Sequence, residues 1–171
     1  QWRLGDTYHL SIGQGLFSVT PLQVASAFGA IANGGQLLQP QMVRRVLDSN
    51  KRVIQEFAPR VMKDNLADQK NIAVVREGMR QTVTAGSATG FLDHLPASPA
   101  GGPVAAAAKT GTAQTGRKTQ GGRDYLYSWV VAFAPFDRPD FLMAVVVEDV
   151  AEGSAASLPV ARDVMQWYFS R

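Results

Sequence analysis

Lys109-Thr110-Gly111-Thr112 stands between a run of small residues, Val104-Ala105-Ala106-Ala107-Ala108, and Ala113-Gln114. On a strand, successive side chains alternate between faces. Thr110 and Thr112 would then put two hydroxyls on one face and Lys109 an ammonium on the other. Gly111, between the threonines, leaves room for another molecule's backbone to come close. A cation, two hydroxyls and free backbone N–H groups within a few residues suit a carboxylate-bearing, peptide-like ligand added alongside as a strand. The competing reading is a helix, which four alanines and a lysine favour by propensity. Lys-Thr-Gly alone is also short enough to recur by chance, so the rest of the chain has to decide.

Other chemistries find little support. His9 and His94 lie far apart without partners at ligand spacing, so no metal is expected. Glu148, Asp149 and Glu152 are the closest acidic group and read as a solvated strand end. There is no Gly-x-Ser-x-Gly elbow. The absence of cysteine excludes a disulfide framework and a thiolate metal site, and no cofactor motif is met. A net charge of +3 is too mild to imply nucleic acid. The basic, glycine-rich stretch at 115–124 lacks aromatic interleaving and reads as a flexible, solvated hairpin tip.

The elements that must position Lys109 can be read next. With 46% apolar and 18% charged residues, the 171-residue chain is globular and most simply one domain or the greater part of one. No apolar run approaches the ~20 residues that span a bilayer. The chain begins at Gln1-Trp2-Arg3 without Met and reads as processed or as a piece of something longer. After a short mixed segment, Ser11-Ile12-Gly13-Gln14-Gly15 reads as a tight turn before a helix. Thr20, Pro21 and Gln23 form a cap, a first helical position and a capping box. Leu22, Ala25, Phe28 and Ala32 supply an apolar face, and Asn33-Gly34-Gly35 a left-handed end.

Residues 42–47 and 53–57 flank Asp48-Ser49-Asn50-Lys51 as a hairpin. A helix over 68–84 follows, with Ile72, Val75, Met79 and Val83 on one stripe and Arg76 and Arg80 on its wet side. Residues 85–103 read as a long surface loop, uncommon unless functional. Residues 125–135 and 141–148 form a second hairpin of buried strands around Phe136-Asp137-Arg138-Pro139-Asp140. A last helix spans 157–169, with Val160, Val164, Trp167 and Tyr168 as its inner face. Three consecutive antiparallel strands with a helix packed on them give an α+β layer.

Four segments occur in order: Ser11-Ile12-Gly13-Gln14-Gly15, Thr20-Pro21-Leu22-Gln23-Val24-Ala25, Ala30-Ile31-Ala32-Asn33-Gly34-Gly35, and Lys109-Thr110-Gly111-Thr112-Ala113-Gln114. Together they resemble the C-terminal part of the transpeptidase domain of class B penicillin-binding proteins, most of all the elongation type, penicillin-binding protein 2. The resemblance covers nearly the whole chain. It implies the penicillin-binding protein and serine β-lactamase-like fold, an antiparallel sheet flanked by helices with Lys-Thr-Gly on a strand bordering the active site. By it, Lys109 would share a proton network with a serine of a second family motif. Thr110 and Thr112 would bind the carboxylate of substrate or β-lactam, Gly111 would give clearance, and Gln114 would join them along the substrate. The Thr112 N–H would be one of two oxyanion-hole donors.

One departure limits this carry-over. The family's Ser-x-x-Lys, which carries the nucleophile, and its Ser-x-Asn are absent from these residues. The chain therefore reads as the C-terminal portion of a peptidoglycan D,D-transpeptidase domain, inactive alone. Its implied partners are stem peptides, β-lactams, the N-terminal part of the same domain and a membrane glycosyltransferase of the elongation machinery. The implied location is extracytoplasmic, anchored through an upstream segment. A serine β-lactamase or β-lactam sensor shares Lys-Thr-Gly, but the Thr-Pro-Leu-Gln helix and Gly-Gln-Gly turn favour the transpeptidase. A non-catalytic module that binds peptidoglycan or a partner is the reading from a different class.

Overall fold

The computed structural model describes residues 2–15, 17–97, 102–151, 153 and 155–171. The first segment is more ordered than its mixed composition suggests. It forms α1, Leu4–Ser11. There the Asp6 carboxylate accepts the Arg3 N–H at 2.8 Å, and its charge lies in the favourable first turn. The expected turn follows. Gly15, at φ +84°, lies so close to His9 that a Cβ would fall 2.9 Å from that residue's own Cβ. Helix α2 spans Pro21–Ala32. Thr20 Oγ1 accepts the Gln23 N–H at 3.2 Å, and Gln23 Oε1 accepts the Thr20 N–H at 2.8 Å. The capping box is therefore present. The helix ends in a Schellman motif, with Gly35 N–H donating to Ala30 O and Gly34 N–H to Ile31 O. Its inner face is narrower than the spacing predicted: Ala30 and Ala32 are buried, while Leu22 is 60% exposed.

Short strands come next. β1, Leu37–Leu38, pairs antiparallel with β4, Val61–Lys63, and β2, Arg45–Leu47, pairs with β3, Val53–Glu56. The Asp48 carboxylate accepts the N–H groups of Asn50 and Arg52, each at 2.8 Å. Such side-chain acceptance makes the β2–β3 turn. Helix α3 runs Gln69–Thr84 from an Asp68 cap and buries Ile72, Met79 and Val83. Two expectations fail on it. Val75 faces water. Arg76 is half-buried instead of wet: its guanidinium donates to the Ala32 and Phe136 carbonyls and lies 5.5 and 5.3 Å from the ring centres of Phe133 and Phe136. It satisfies a carbonyl that the end of α2 leaves open and ties α2 to the sheet. Arg80 is also half-buried, over Phe136 and paired with Glu77.

Residues 85–103 are not a loose loop in their described parts. Ala88 and Leu92 are fully buried, and β5, Leu95–Ala97, pairs with β6, Pro103–Val104. Residues 98–101 of that stretch lie outside the described residues.

The main sheet is three antiparallel strands in the order β7, Ala107–Lys118, β8, Asp124–Ala134, and β9, Phe141–Val150. The alanine run is therefore strand. Burial on both faces overrides its helix propensity. Ala106 and Ala108 pack toward α4, Ser157–Phe169, while Ala107 packs with Phe133 toward α2 and Met79 of α3. Helices thus cover both faces of an antiparallel sheet, the expected α+β arrangement. The span of α4 is as predicted, but its phase is not. Leu158, Ala161, Met165 and Phe169 are buried, whereas Val160, Val164, Trp167 and Tyr168 are exposed. This helix is apolar on two sides, so periodicity alone could not choose between them.

The basic stretch at 115–124 is also more regular than expected, for strand β7 extends through Lys118 and only 119–123 turn. Arg117 pairs with Asp149, and Lys118 with Asp124 at 2.7 Å. These exposed pairs add about 0–1 kcal/mol each, yet they neutralise cations that a nucleic-acid surface would need free.

Candidate active site

Strand β7 is the outer strand of its sheet, and among the described residues its far edge pairs with no other strand. Alternation sorts its side chains. Ala106 and Ala108 face α4, so Thr110, Thr112 and Gln114 share that side; Ala107 faces α2, so Lys109 and Gly111 share the other. The separation of the lysine from the hydroxyls thus follows the expected pattern. Lys109 is exposed, and its Nζ folds back to donate to the Thr110 carbonyl.

That contact and a second one fix which way the peptide groups point. Gln14 Nε2 donates to the Thr112 carbonyl at 3.5 Å. A carbonyl engaged from outside is not turned into the ladder with β8. In an antiparallel pair, a residue's N–H and C=O point to the same side. Thr110 and Thr112 therefore offer their backbone N–H groups, as well as their carbonyls, to the open edge. This is the geometry that a peptide-like ligand or a developing oxyanion requires.

Three residues that spacing did not bring to Lys-Thr-Gly-Thr surround it. Ser87, in the turn after α3, lies with its Oγ 2.7 Å from Thr110 Oγ1. Gln14 arrives from the N-terminal turn, 98 residues away. Gly153, between β9 and α4, sits where a Cβ would come within 2.6 Å of Thr112 Oγ1. Gln14 and Gly153 carry no local signal of this role, while Ser87 stands in a Gly-Ser-Ala turn that only the fold connects to Thr110.

Ser128, directly opposite Thr112 in the register, is fully buried. It donates to Ser157 Oγ at 2.8 Å and accepts the Ser157 N–H at 3.2 Å. The hydroxyl thereby caps α4, where Ala156 has no side chain to do so. That pair seats the start of α4 on β8, opposite Thr112. Gln114 is less central, since its amide donates to Asp124 at 3.4 Å. Gly111 meets only ordinary contact: a Cβ there would lie 3.4 Å from Trp129 Cβ. Among the described residues, no cluster of His, Asp and Glu side chains could hold a metal ion.

Known proteins share this fold. Residues 1–166 match the penicillin binding protein transpeptidase domain. The chain is 29% identical over 181 aligned residues to the peptidoglycan D,D-transpeptidase MrdA of Haemophilus influenzae, covering 99% of this chain and 27% of that protein. It superposes with a TM-score of 0.73 on penicillin-binding protein A of M. tuberculosis, solved as an imipenem acyl-enzyme complex, at 27% identity over 92% of this chain and 32% of that one. A TM-score of 0.72 relates it to the penicillin-binding protein PBP2 of Helicobacter pylori, solved with MreC, at 29% identity over 99% of this chain and 28% of that one. The chain thus spans about a quarter of the length of the Haemophilus relative. With the match running through residue 166 of 171, the chain belongs to the penicillin-binding protein transpeptidase family.

Proposed function

We propose that this chain is the C-terminal portion of a peptidoglycan D,D-transpeptidase domain and forms one wall of its cleft. The observation that carries the reading is strand β7: an edge unpaired among the described residues, two threonine hydroxyls on one face, and the Thr112 peptide turned outward beside them. In the parent, a serine outside these residues would attack the carbonyl of the penultimate D-Ala of a stem peptide. The C–N bond to the terminal D-Ala breaks, that residue leaves with the serine's proton, and an ester remains. A neighbouring stem's amine then attacks the ester, the serine regains a proton, and a cross-link results. Thr110 and Thr112 hold the carboxylate, and the Thr112 N–H stabilises the oxyanion. A β-lactam takes the stem peptide's place and acylates the same serine.

Membership of the family and the elongation-type relatives support an extracytoplasmic site, anchored upstream. The partner this reading proposes for the parent is a membrane glycosyltransferase of the elongation machinery. None of the described helices is long and apolar enough to cross a membrane. The direct test is the full-length parent with a D-Ala-D-Ala-terminated stem peptide and an amine acceptor. Release of one D-Ala per new amide is the expected result. Release with no transfer makes the parent a carboxypeptidase, and no release at all overturns the reading.

Gly153 gives a sharper prediction. An alanine Cβ would overlap Thr112 Oγ1, so the hydroxyl has to move away from the place it now occupies or the Gly153 backbone has to shift. Gly153→Ala is therefore expected to weaken acylation of the parent by a carboxylate-bearing penicillin roughly 5- to 150-fold, the scale of about 1–3 kcal/mol for one lost partner of a charged group. If Thr112→Ala is introduced first, Gly153→Ala should have little further effect.

A further inference from the structure

We propose that Ser87 is a positioning residue that makes the Lys-Thr-Gly strand selective for carboxylates, by donating its hydroxyl proton to Thr110 Oγ1 and so turning the Thr110 proton outward. The inference rests on the reading of β7 as the carboxylate-binding wall.

The turn that carries Ser87 is built to hold it in place. Helix α3 ends at Thr84, and the chain folds back on the helix's last turn. A Cβ on Gly86 would lie 2.8 Å from Thr82 Cα and 2.9 Å from Thr82 O. Only glycine lets the backbone come this close. Ala88 N–H then donates to Thr82 O at 3.0 Å, and Thr89 Oγ1 donates to Val83 O at 3.1 Å. Ala88 and Leu92 are fully buried beneath the turn, in one cluster with Ala108 of β7. Ser87 is clamped between Gly86 and Ala88 yet is itself exposed, and the only side chain its hydroxyl meets among the described residues is Thr110.

The 2.7 Å contact between two hydroxyls allows the proton to point either way. A ligand carboxylate removes that freedom. It only accepts, so Thr110 must donate to it, and Ser87 must then donate to Thr110. The two bonds run in one direction, and each polarises the next. A ligand with a neutral ester in place of the carboxylate draws less from this relay, since hydrogen bonds to charged groups are the stronger ones. Ser87 therefore acts on recognition of the charged group and leaves the chemical step to other residues.

The test uses the full-length parent, a fluorescent penicillin with a free carboxylate, and its methyl ester. Ser87→Ala should lower the second-order acylation rate with the acid by about 3- to 10-fold, the range of one hydrogen bond. The rate with the ester should move less than about twofold. Ser87→Thr, which keeps the hydroxyl, should restore the acid rate. On a Thr110→Val background, where no relay exists, Ser87→Ala should add nothing. If Ser87→Ala lowers the melting temperature, Ser87→Cys keeps the size, weakens the donor and carries the same comparison. Equal losses for acid and ester, or a loss that persists on Thr110→Val, assign Ser87 a merely structural role and overturn the inference. A wild-type parent that discriminates acid from ester while Ser87→Ala discriminates equally well overturns this inference alone. A wild-type parent that does not discriminate overturns the carboxylate reading of β7, and this inference with it.

Discussion

Incubated by itself with a large excess of penicillin, this chain is expected to gain no mass, whereas its full-length parent gains one intact antibiotic. Opening a β-lactam expels nothing: the serine oxygen adds to the carbonyl, the ring C–N bond breaks, and the nitrogen takes the proton. The adduct therefore weighs as much as the drug, and intact-mass spectrometry reads it directly. A serine hydroxyl reacts this way only beside a base. No serine here is followed three residues later by lysine. The hydroxyls of Ser11, Ser26 and Ser170 donate to carbonyls of their own helices, at 2.7, 2.8 and 3.1 Å. Ser128 and Ser157 are buried against each other, and Ser87 meets Thr110, not a base. Lys109 Nζ is engaged by the Thr110 carbonyl. A gain of one antibiotic mass on the isolated chain would place a working nucleophile among these residues and end its assignment as the nucleophile-free wall.

What the sequence made legible was local. Thr20, Pro21 and Gln23 mark the start of α2 because a capping box lies within four consecutive positions, and Gly34-Gly35 mark its end because left-handed backbone singles out glycine. The order of β7, β8 and β9 follows from turns that lie between them in the chain. Phase was harder to read. Helix α4 offers Leu158 and Met165 on one side and Val160 and Trp167 on another, and only the sheet decides which side is inside. Arg76 escapes spacing rules for a related reason: a cation at helical spacing from apolar residues reads as wet until Phe133, Phe136 and two carbonyls supply it with a half-buried seat. The surroundings of the site were the least legible. Gln14, Ser87 and Gly153 reach Thr110 and Thr112 across long separations, and no spacing rule links them.

Among single changes within these residues, replacing Lys109 should have the largest effect on the parent. The lysine stands on the α2 side of β7, while the threonines stand on the α4 side, so the two kinds of group cannot substitute for one another. By the family resemblance Lys109 would share a proton network with the serine of the second family motif, and a positioned proton-transfer group contributes about 10²–10⁴-fold. Lys109→Ala is expected to slow acylation by that factor with acid and ester penicillins alike, because the loss falls on the chemical step. Thr112→Ala keeps the backbone N–H at the open edge and removes only a hydroxyl. Its cost of about 1–3 kcal/mol should appear as weaker recognition of the carboxylate, with the maximal acylation rate retained. The control must be chosen with the fold in view. Arg80 is unsuitable, since it is half-buried over Phe136 and paired with Glu77. Lys51, exposed in the β2–β3 turn, also has its φ at +62°, so an alanine there would report backbone strain. Lys70, exposed in the first turn of α3, has neither defect and should acylate as the unaltered protein does when changed to alanine. The measurement is the rate of acylation against concentration for the three variants with both penicillins. If Lys109→Ala tracks Lys70→Ala, the Lys-Thr-Gly strand is not the catalytic wall. If it tracks Thr112→Ala, Lys109 acts as a counter-ion for the carboxylate and takes no part in proton transfer.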